Sequence, residues 1–384
     1  MPVLAPITAT GLLASAEVAG VGREAQSTAF LSTPGIDPLY SGVTNRTASA
    51  WRMAAMSLSA PGIPPPVSRS SVSSNGSTAP ALTNKAEGSE IRGSSVVEAW
   101  IDEYIRFEHR TAEQERLRGD PRSCGNLKAP AGHVLHATFV GDKPHAADVE
   151  NLVIYDIDDT GRSFARAAAF GLRFELGQRG PTSPTGNEYR YGYRYEVAPL
   201  SAGFRYWRER RELASWAWVD LGAFSGHKKL EQVWLAFAGA GVGVASPGRA
   251  PGTPFAICAT IRPPRSATPV LGGLIKGIFD GVASAFQAHT DTADIAELAA
   301  RASRNATASP AEIEALLLCQ RQAVLGAVPR LLHRRGKRVQ WAPADDLCIA
   351  GELLTEQPTD SAWSIKGKIV ESQIRLSAGP AFVS

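Results

Sequence analysis

The chain has 384 residues, is 44% hydrophobic and 20% charged, and carries a formal net charge of +3. That length allows one large domain or two smaller ones with real cores, and the near-balanced charge excludes a global basic field, leaving nucleic-acid binding to local patches. Cys124, Cys258, Cys319 and Cys348 lie far apart with no CxxC pair, which argues against a structural zinc site or disulfide framework and for a reducing, cytoplasmic setting.

Residues 1–90 are dominated by Ala, Ser, Pro, Gly and Thr, as in SAPGIPPPVSRSSVSSNGSTAPALTN, and read as a disordered tail without a signal-peptide pattern. In Ser94–Leu117, Val97, Trp100, Ile101 and Ile105 fall at helical spacing, which predicts a helix. Strands are predicted at His133–Val140, Leu172–Leu176 and Tyr189–Val197. In the last of these, Tyr189, Tyr191, Tyr193 and Tyr195 share one face, and Arg190 and Arg194 the other. Trp216–Gly222 reads as extended, Lys228–Gly239 as helix or strand, and Pro254–Arg262 as a strand. The apolar run Leu235–Ser246 is too short and too Gly-rich to cross a bilayer, so no membrane partner is expected. A long helical part is predicted from about 270 to 335. It contains a capping box of Ser309, Pro310 and Glu312 and is closed by the basic run HRRGKR, His333–Arg338. Val339–Leu354 reads as two strands around a turn bearing Asp345 and Asp346, and Trp363–Val370 as a final strand. Strands with segregated helices predict an α+β protein with mixed or antiparallel sheets.

A shift of about 122 residues lays His133–Phe164 over Phe255–Phe286 without a gap. Ala137/Ala259, Thr138/Thr260, Leu152/Leu274, Asp158/Asp280 and Phe164/Phe286 are identical, and the order of strand, loop and amphipathic helix matches. This predicts a tandem duplication: related halves at 91–245 and 246–384, forming a pseudo-dimer within one chain.

The stretch DVENLVIYDIDDTG, Asp148–Gly161, admits two readings. As a strand, VIYDIDDT resembles the first motif of haloacid-dehalogenase-like phosphatases, which implies Asp156 as nucleophile and Asp158 as acid/base, with Thr260, Lys276 and Asp345/Asp346 as the remaining parts. As a helix, DVENLVIYDID resembles the D-x-D-N-x-x-K-x-x-x-D helix of RusA-like Holliday-junction resolvases. Asp148, Glu150, Asn151 and Asp158 then match, but Ile154 stands where Lys is expected. The second copy, VLGGLIKGIFD, is the converse: it lacks the acids and the Asn, while Lys276 and Asp280 match.

That second resemblance implies a homodimer-like nuclease acting on branched DNA. Asp148, Glu150, Asp345 and Asp346 would hold Mg²⁺, and Lys276 would offset phosphate charge. Glu175 is the nearest first-half counterpart of the acidic pair. Arg334, Arg335, Lys337 and Arg338, together with Arg205, Arg208, Arg210 and Arg211, are candidate contacts to the phosphate backbone. Simpler readings stand beside these. Asp148 and Glu150 suit any helix N-terminus, Lys276 a solvated helix face, and Asp345 and Asp346 a turn. The expectations are therefore a Mg²⁺-dependent, structure-selective endonuclease or nucleic-acid binder, a non-catalytic scaffold of the same fold, or a phosphatase acting through Asp156 and Asp158.

Overall fold

The computed structural model describes residues 86–90, 96–106, 111–123, 127–144, 147–178, 182–223, 230–358 and 362–375. Most of the Ala/Ser/Pro-rich tail, and Cys124, lie outside these residues. In chain order the elements are β1 (Ala86–Glu90), β2 (Val96–Ile101), α1 (Ala112–Ser123), β3 (His133–Gly141), a π-helical turn (Asn151–Tyr155), β4 (Gly171–Leu176), β5 (Tyr191–Pro199), β6 (Trp207–Gly222), α2 (Leu230–Ala238), β7 (Gly243–Val244), β8 (Phe255–Arg262), α3 (Leu271–Ala285), β9 (Gln287–His289), α4 (Ile295–Ala302), α5 (Pro310–Leu317), β10 (Gly326–Val328), β11 (Leu332–Arg335), β12 (Arg338–Trp341), β13 (Cys348–Thr355) and β14 (Trp363–Ile374). The class is mixed α+β, with few helices and one large mixed sheet.

That sheet has ten strands in the order β1-β2-β5-β3-β4-β13-β8-β14-β6-β7. β3 runs parallel to β4, and β8 runs parallel to β13; the other neighbours are antiparallel. The register reads alike from either side of the central β4–β13 pair. Leu135 of β3 faces Leu172 and Val197, and Ile257 of β8 faces Gly351 and Ile369. Across the middle, Phe174 faces Gly351 and Leu172 faces Leu353, which leaves Arg173 opposite Glu352 at the centre. These two side chains form a salt bridge, with Arg173 Nε donating to Glu352 Oε2 at 2.8 Å.

Strand alternation sends Leu135, Ala137 and Phe139 of β3, and Tyr191, Tyr193 and Tyr195 of β5, into one apolar core with the π-helical turn and α3. Ring contacts tie the layers together: Phe139 to Tyr193 at 5.3 Å, Phe164 to Tyr195 at 5.7 Å, and Phe174 to Phe279 at 5.6 Å. Burying ring area of this kind is the main apolar contribution to such a layer. A second cluster joins α4, α5 and the β11–β12 hairpin through Leu298, Ile313, Leu317, Leu331 and Leu332.

Several sequence expectations are corrected. Ser94–Leu117 is not one helix: Val96–Ile101 is a strand and the helix begins at Ala112. Val97, Trp100 and Ile101 are all buried, and a strand buried on both faces imitates a helical stripe in its spacing. The 270–335 segment breaks into α3, the short strand β9, α4 and α5 and then turns to β10 and β11, and the capping box at Ser309 and Glu312 is present. The basic run at 333–338 forms the tip of the β11–β12 hairpin, which turns at Gly336 with φ +58°, rather than a helix end. β12 and β13 are not partners, because β13 enters the main sheet between β4 and β8. β6 pairs with β14, so it lies on the β8–β14 side of the sheet although the 91–245 division assigns it to the first half.

Candidate catalytic site

Asp148–Gly161 is helical at its start, not a strand. Leu152 N donates to Asp148 O at 3.2 Å, and Asp156 N reaches back five residues to Asn151 O at 2.8 Å. The wide turn frees the Val153 carbonyl, which accepts from Tyr195 Oη at 2.7 Å, while Ile157 O accepts from Arg122 Nε at 3.0 Å. Terminal carbonyls are thus satisfied by side chains from β5 and α1. Val149, Leu152, Val153, Ile154 and Ile157 point into the core. This geometry overturns the phosphatase reading: Asp156 and Asp158 follow a helical turn, whereas that motif needs a strand ending at the nucleophile. Asp158 instead accepts from Thr160 N, Thr160 Oγ1 and Ser163 N at 2.8–3.1 Å. Burial acts to raise its pKa, but the bonds from Ser163 and Thr160 outweigh it and hold the carboxyl below its ordinary value.

Asp148 and Glu150 open this turn. They meet α3, whose apolar face of Leu274, Ile275, Ile278 and Val282 is buried in the core. Lys276 and Asp280, one helical turn apart, share the side facing the acids. Lys276 Nζ stands 3.5 Å from Asp148 Oδ2, 3.2 Å from Glu150 Oε1 and 3.3 Å from Asp280. Asn151 Nδ2 donates to Asp148 Oδ2 at 2.7 Å and orients it. Asp345 enters from the loop before β13. That loop is clamped by Gln287, whose Nε2 donates to Ala344 O at 2.9 Å and whose Oε1 accepts from Ala344 N at 3.0 Å. Cys348 N then donates to Asp345 O at 2.8 Å and closes the loop onto the strand.

The charges in this cluster are unequal: Asp148, Glu150 and Asp280 surround one ammonium, and the charge of Asp345 also acts on it. Burial pushes Glu150 up to about 8; Lys276 works against that shift, and Asp148 and Asp280 add to it. Burial, with Asp148 and Asp280, likewise holds Asp345 well above the carboxylate range. For Lys276, burial opposes the charged form, but Asp280, Glu150, Asp148 and Asp345 outweigh it and keep the ammonium protonated. The nearby Cys348 thiol is driven well up by burial and by Glu150, Asp345 and Asp148, so it is a poor nucleophile.

The structure therefore brings Asp148, Glu150, Lys276 and Asp345 together and leaves Asp346 out. Asp346 is exposed, and its charge acts on Arg249. Glu175 is also elsewhere: it is buried beside His136 and accepts from the backbone N–H groups of Arg205 and Tyr206. Of the basic hairpin, Arg334 is paired with Asp294 and Glu297, and Arg335 Nη1 donates to Gln340 Oε1 at 3.1 Å. Lys337 and Arg338 are exposed at the tip. Arg205 pairs with Glu196, and Arg210 and Arg211 with Glu371. Asp280 and Gln287 join the site as well. The first is visible in sequence only as the last acid of the split motif; the second has no sequence signal, because its partner lies far along the chain.

The residues fit a hard divalent cation in the kind of donor they supply, since carboxylate and amide oxygens outnumber cations here. Asn151 Oδ1 adds a buried acceptor that meets no hydrogen-bond donor among the described residues. In the arrangement seen, Lys276 stands at the centre, and among the described residues no three His, Cys, Asp or Glu are spaced to hold a metal ion. Among the same residues no helix is long and apolar enough to cross a membrane. Comparison with known proteins gives no match: no family model, curated protein or solved structure matches the chain.

Proposed function

We propose that the chain is a RusA-like protein built from two related halves, and that it binds branched DNA and hydrolyses a phosphodiester bond at one composite site. One observation carries this reading: Lys276 lies 3.5 and 3.2 Å from Asp148 and Glu150, although they come from different copies of the repeat. Each copy holds the part of the motif that the other lacks, and the fold joins the parts. The sheet register supports the duplication, because the residue pairs that match in sequence also match in pairing about the Arg173–Glu352 centre.

Asp148, Glu150 and Asp345, drawn closer than in the arrangement seen, would hold Mg²⁺, which when bound supplies an activated water and positive charge at the phosphate. The protein's own groups do the rest. Asn151 fixes the Asp148 carboxylate, Gln287 fixes the Asp345 loop, and Lys276 offsets charge building on the scissile phosphate.

A second reading is a DNA-binding module without chemistry. It is favoured by the closed pairing of Lys276 with Asp148, Glu150 and Asp280, which can serve as a structural brace alone. The test is binding and cleavage of four-way, forked and linear DNA with and without Mg²⁺, comparing the natural chain with Asp148→Asn/Glu150→Gln. The expected result is Mg²⁺-dependent cutting of branched DNA that falls by about 100-fold or more in the double variant. Binding without cutting selects the second reading; absence of both binding and cutting rejects both.

A further inference from the structure

We infer that this protein cuts one strand per encounter with DNA, leaving a nick rather than paired incisions. The inference rests on the nuclease reading above and concerns what that site produces. The sheet pattern relates two places, one on each side of the Arg173–Glu352 pair, and only one of them is equipped. At the other, the counterparts of Asp148, Glu150 and Asn151 are Val270, Gly272 and Gly273, and the counterpart of Lys276 is the buried Ile154. The counterpart of Asp280 is Asp158, whose oxygens are taken by Thr160 and Ser163.

The space itself is filled. A Cβ on Gly272 would lie 2.8 Å from Gly161 Cα, and one on Gly273 would lie 2.9 Å from Thr160 O. The backbone at Thr160–Gly161 thus occupies the volume that acidic side chains would need. Before β4, where Asp345 stands in the other half, the chain reads Ala167-Ala168-Ala169 and offers no acid. One hydrolysis therefore follows one encounter. Water oxygen bonds to phosphorus and the phosphorus–oxygen bond to one sugar breaks. One water proton ends on the released hydroxyl, and the other stays with the phosphomonoester or passes to solvent.

The experiment is a time course on a supercoiled plasmid carrying an inverted repeat extruded as a cruciform, with Mg²⁺ and with plasmid in excess over protein. Accumulation of open circle as the first and main product is expected. Linear plasmid formed directly from supercoiled, without an open-circle stage, overturns the inference while leaving the nuclease reading standing. No cutting of any form rejects the nuclease reading and the inference with it. A paired substitution gives a second measure: Asp280→Asn should slow nicking at least about tenfold, while folded Asp158→Asn, checked by circular dichroism, keeps it. A folded Asp158→Asn protein that has lost cutting would reveal a second working centre and overturn the proposal.

Discussion

Lys276 sits among Asp148, Glu150, Asp280 and Asp345, and its side chain is only 26% exposed. Removing the cation from such a set leaves carboxylates without compensation. Lys276→Met should therefore cost about 3 kcal/mol of stability, at the lower end for breaking a buried pair because some water reaches the site. Urea unfolding measures this, and adding Glu150→Gln to the same chain should recover part of the loss. A loss below about 0.5 kcal/mol would mean that the pairs are solvent-screened and stabilise little. Glu196 makes a pH prediction on the opposite face of the sheet. Burial raises its pKa, but Arg194 and Arg205 outweigh burial and hold it below its ordinary value of 4.5. Below that value the unfolded chain binds more protons than the folded one, so the stability from this group is lost as pH falls from 4.5 through the folded pKa. Urea midpoints from pH 7 to pH 3 should fall less steeply in Glu196→Gln than in the natural chain. At this scale the sequence was legible where spacing is local: Lys276 and Asp280 at i,i+4, and Asp148 and Glu150 at a helix start. The clamp of Gln287 on Ala344 was not, because nothing local marks a bond between residues so far apart.

Between elements, the 158–163 turn packs closely on the start of α3. Gly161 has φ +62°, and a Cβ there would lie 2.2 Å from Gly272 C. Gly161→Ala therefore meets both a left-handed backbone and a backbone clash, and should cost about 3 kcal/mol or more. Gly252, with φ +75° and nothing within 4 Å of the place a Cβ would take, supplies the contrast: Gly252→Ala should cost only about 1 kcal/mol. Equal losses in chemical denaturation would show that the turn yields and that the close approach is not required. β3, β5, β8 and β14 were readable from sequence as short apolar or β-branched runs, with strict alternation in β5. β2 was not, because its apolar residues continue to Ile105 at helical spacing. The 326–341 strands were not, because their partners are β9 and each other within an insertion that local periodicity does not define.

For the molecule as a whole, the β4–β13 pair and the β6–β14 pair run one sheet through both proposed halves. Neither half then has a complete core of its own, and a single cooperative transition is expected. Thermal melts followed by tryptophan fluorescence and by far-ultraviolet circular dichroism should coincide; two separated steps would show halves that fold alone. The mixed α+β class was legible in the sequence, from strands interrupted by segregated helices. The place of β6 was not, since pairing across the sheet is a long-range choice that its own residues do not announce.

The Arg173–Glu352 bridge carries a consequence for which partners the central strand will accept. Two copies of the Gly171–Leu176 strand brought together in this register would set Arg173 against Arg173. Two copies of Cys348–Thr355 would set Glu352 against Glu352. Either self-match buries like charges, at a cost of several kcal/mol, whereas the joined chain meets opposite charges at the same point. The bridge thus acts as a mating code: it selects the unlike strand within one chain and rejects the like strand of another.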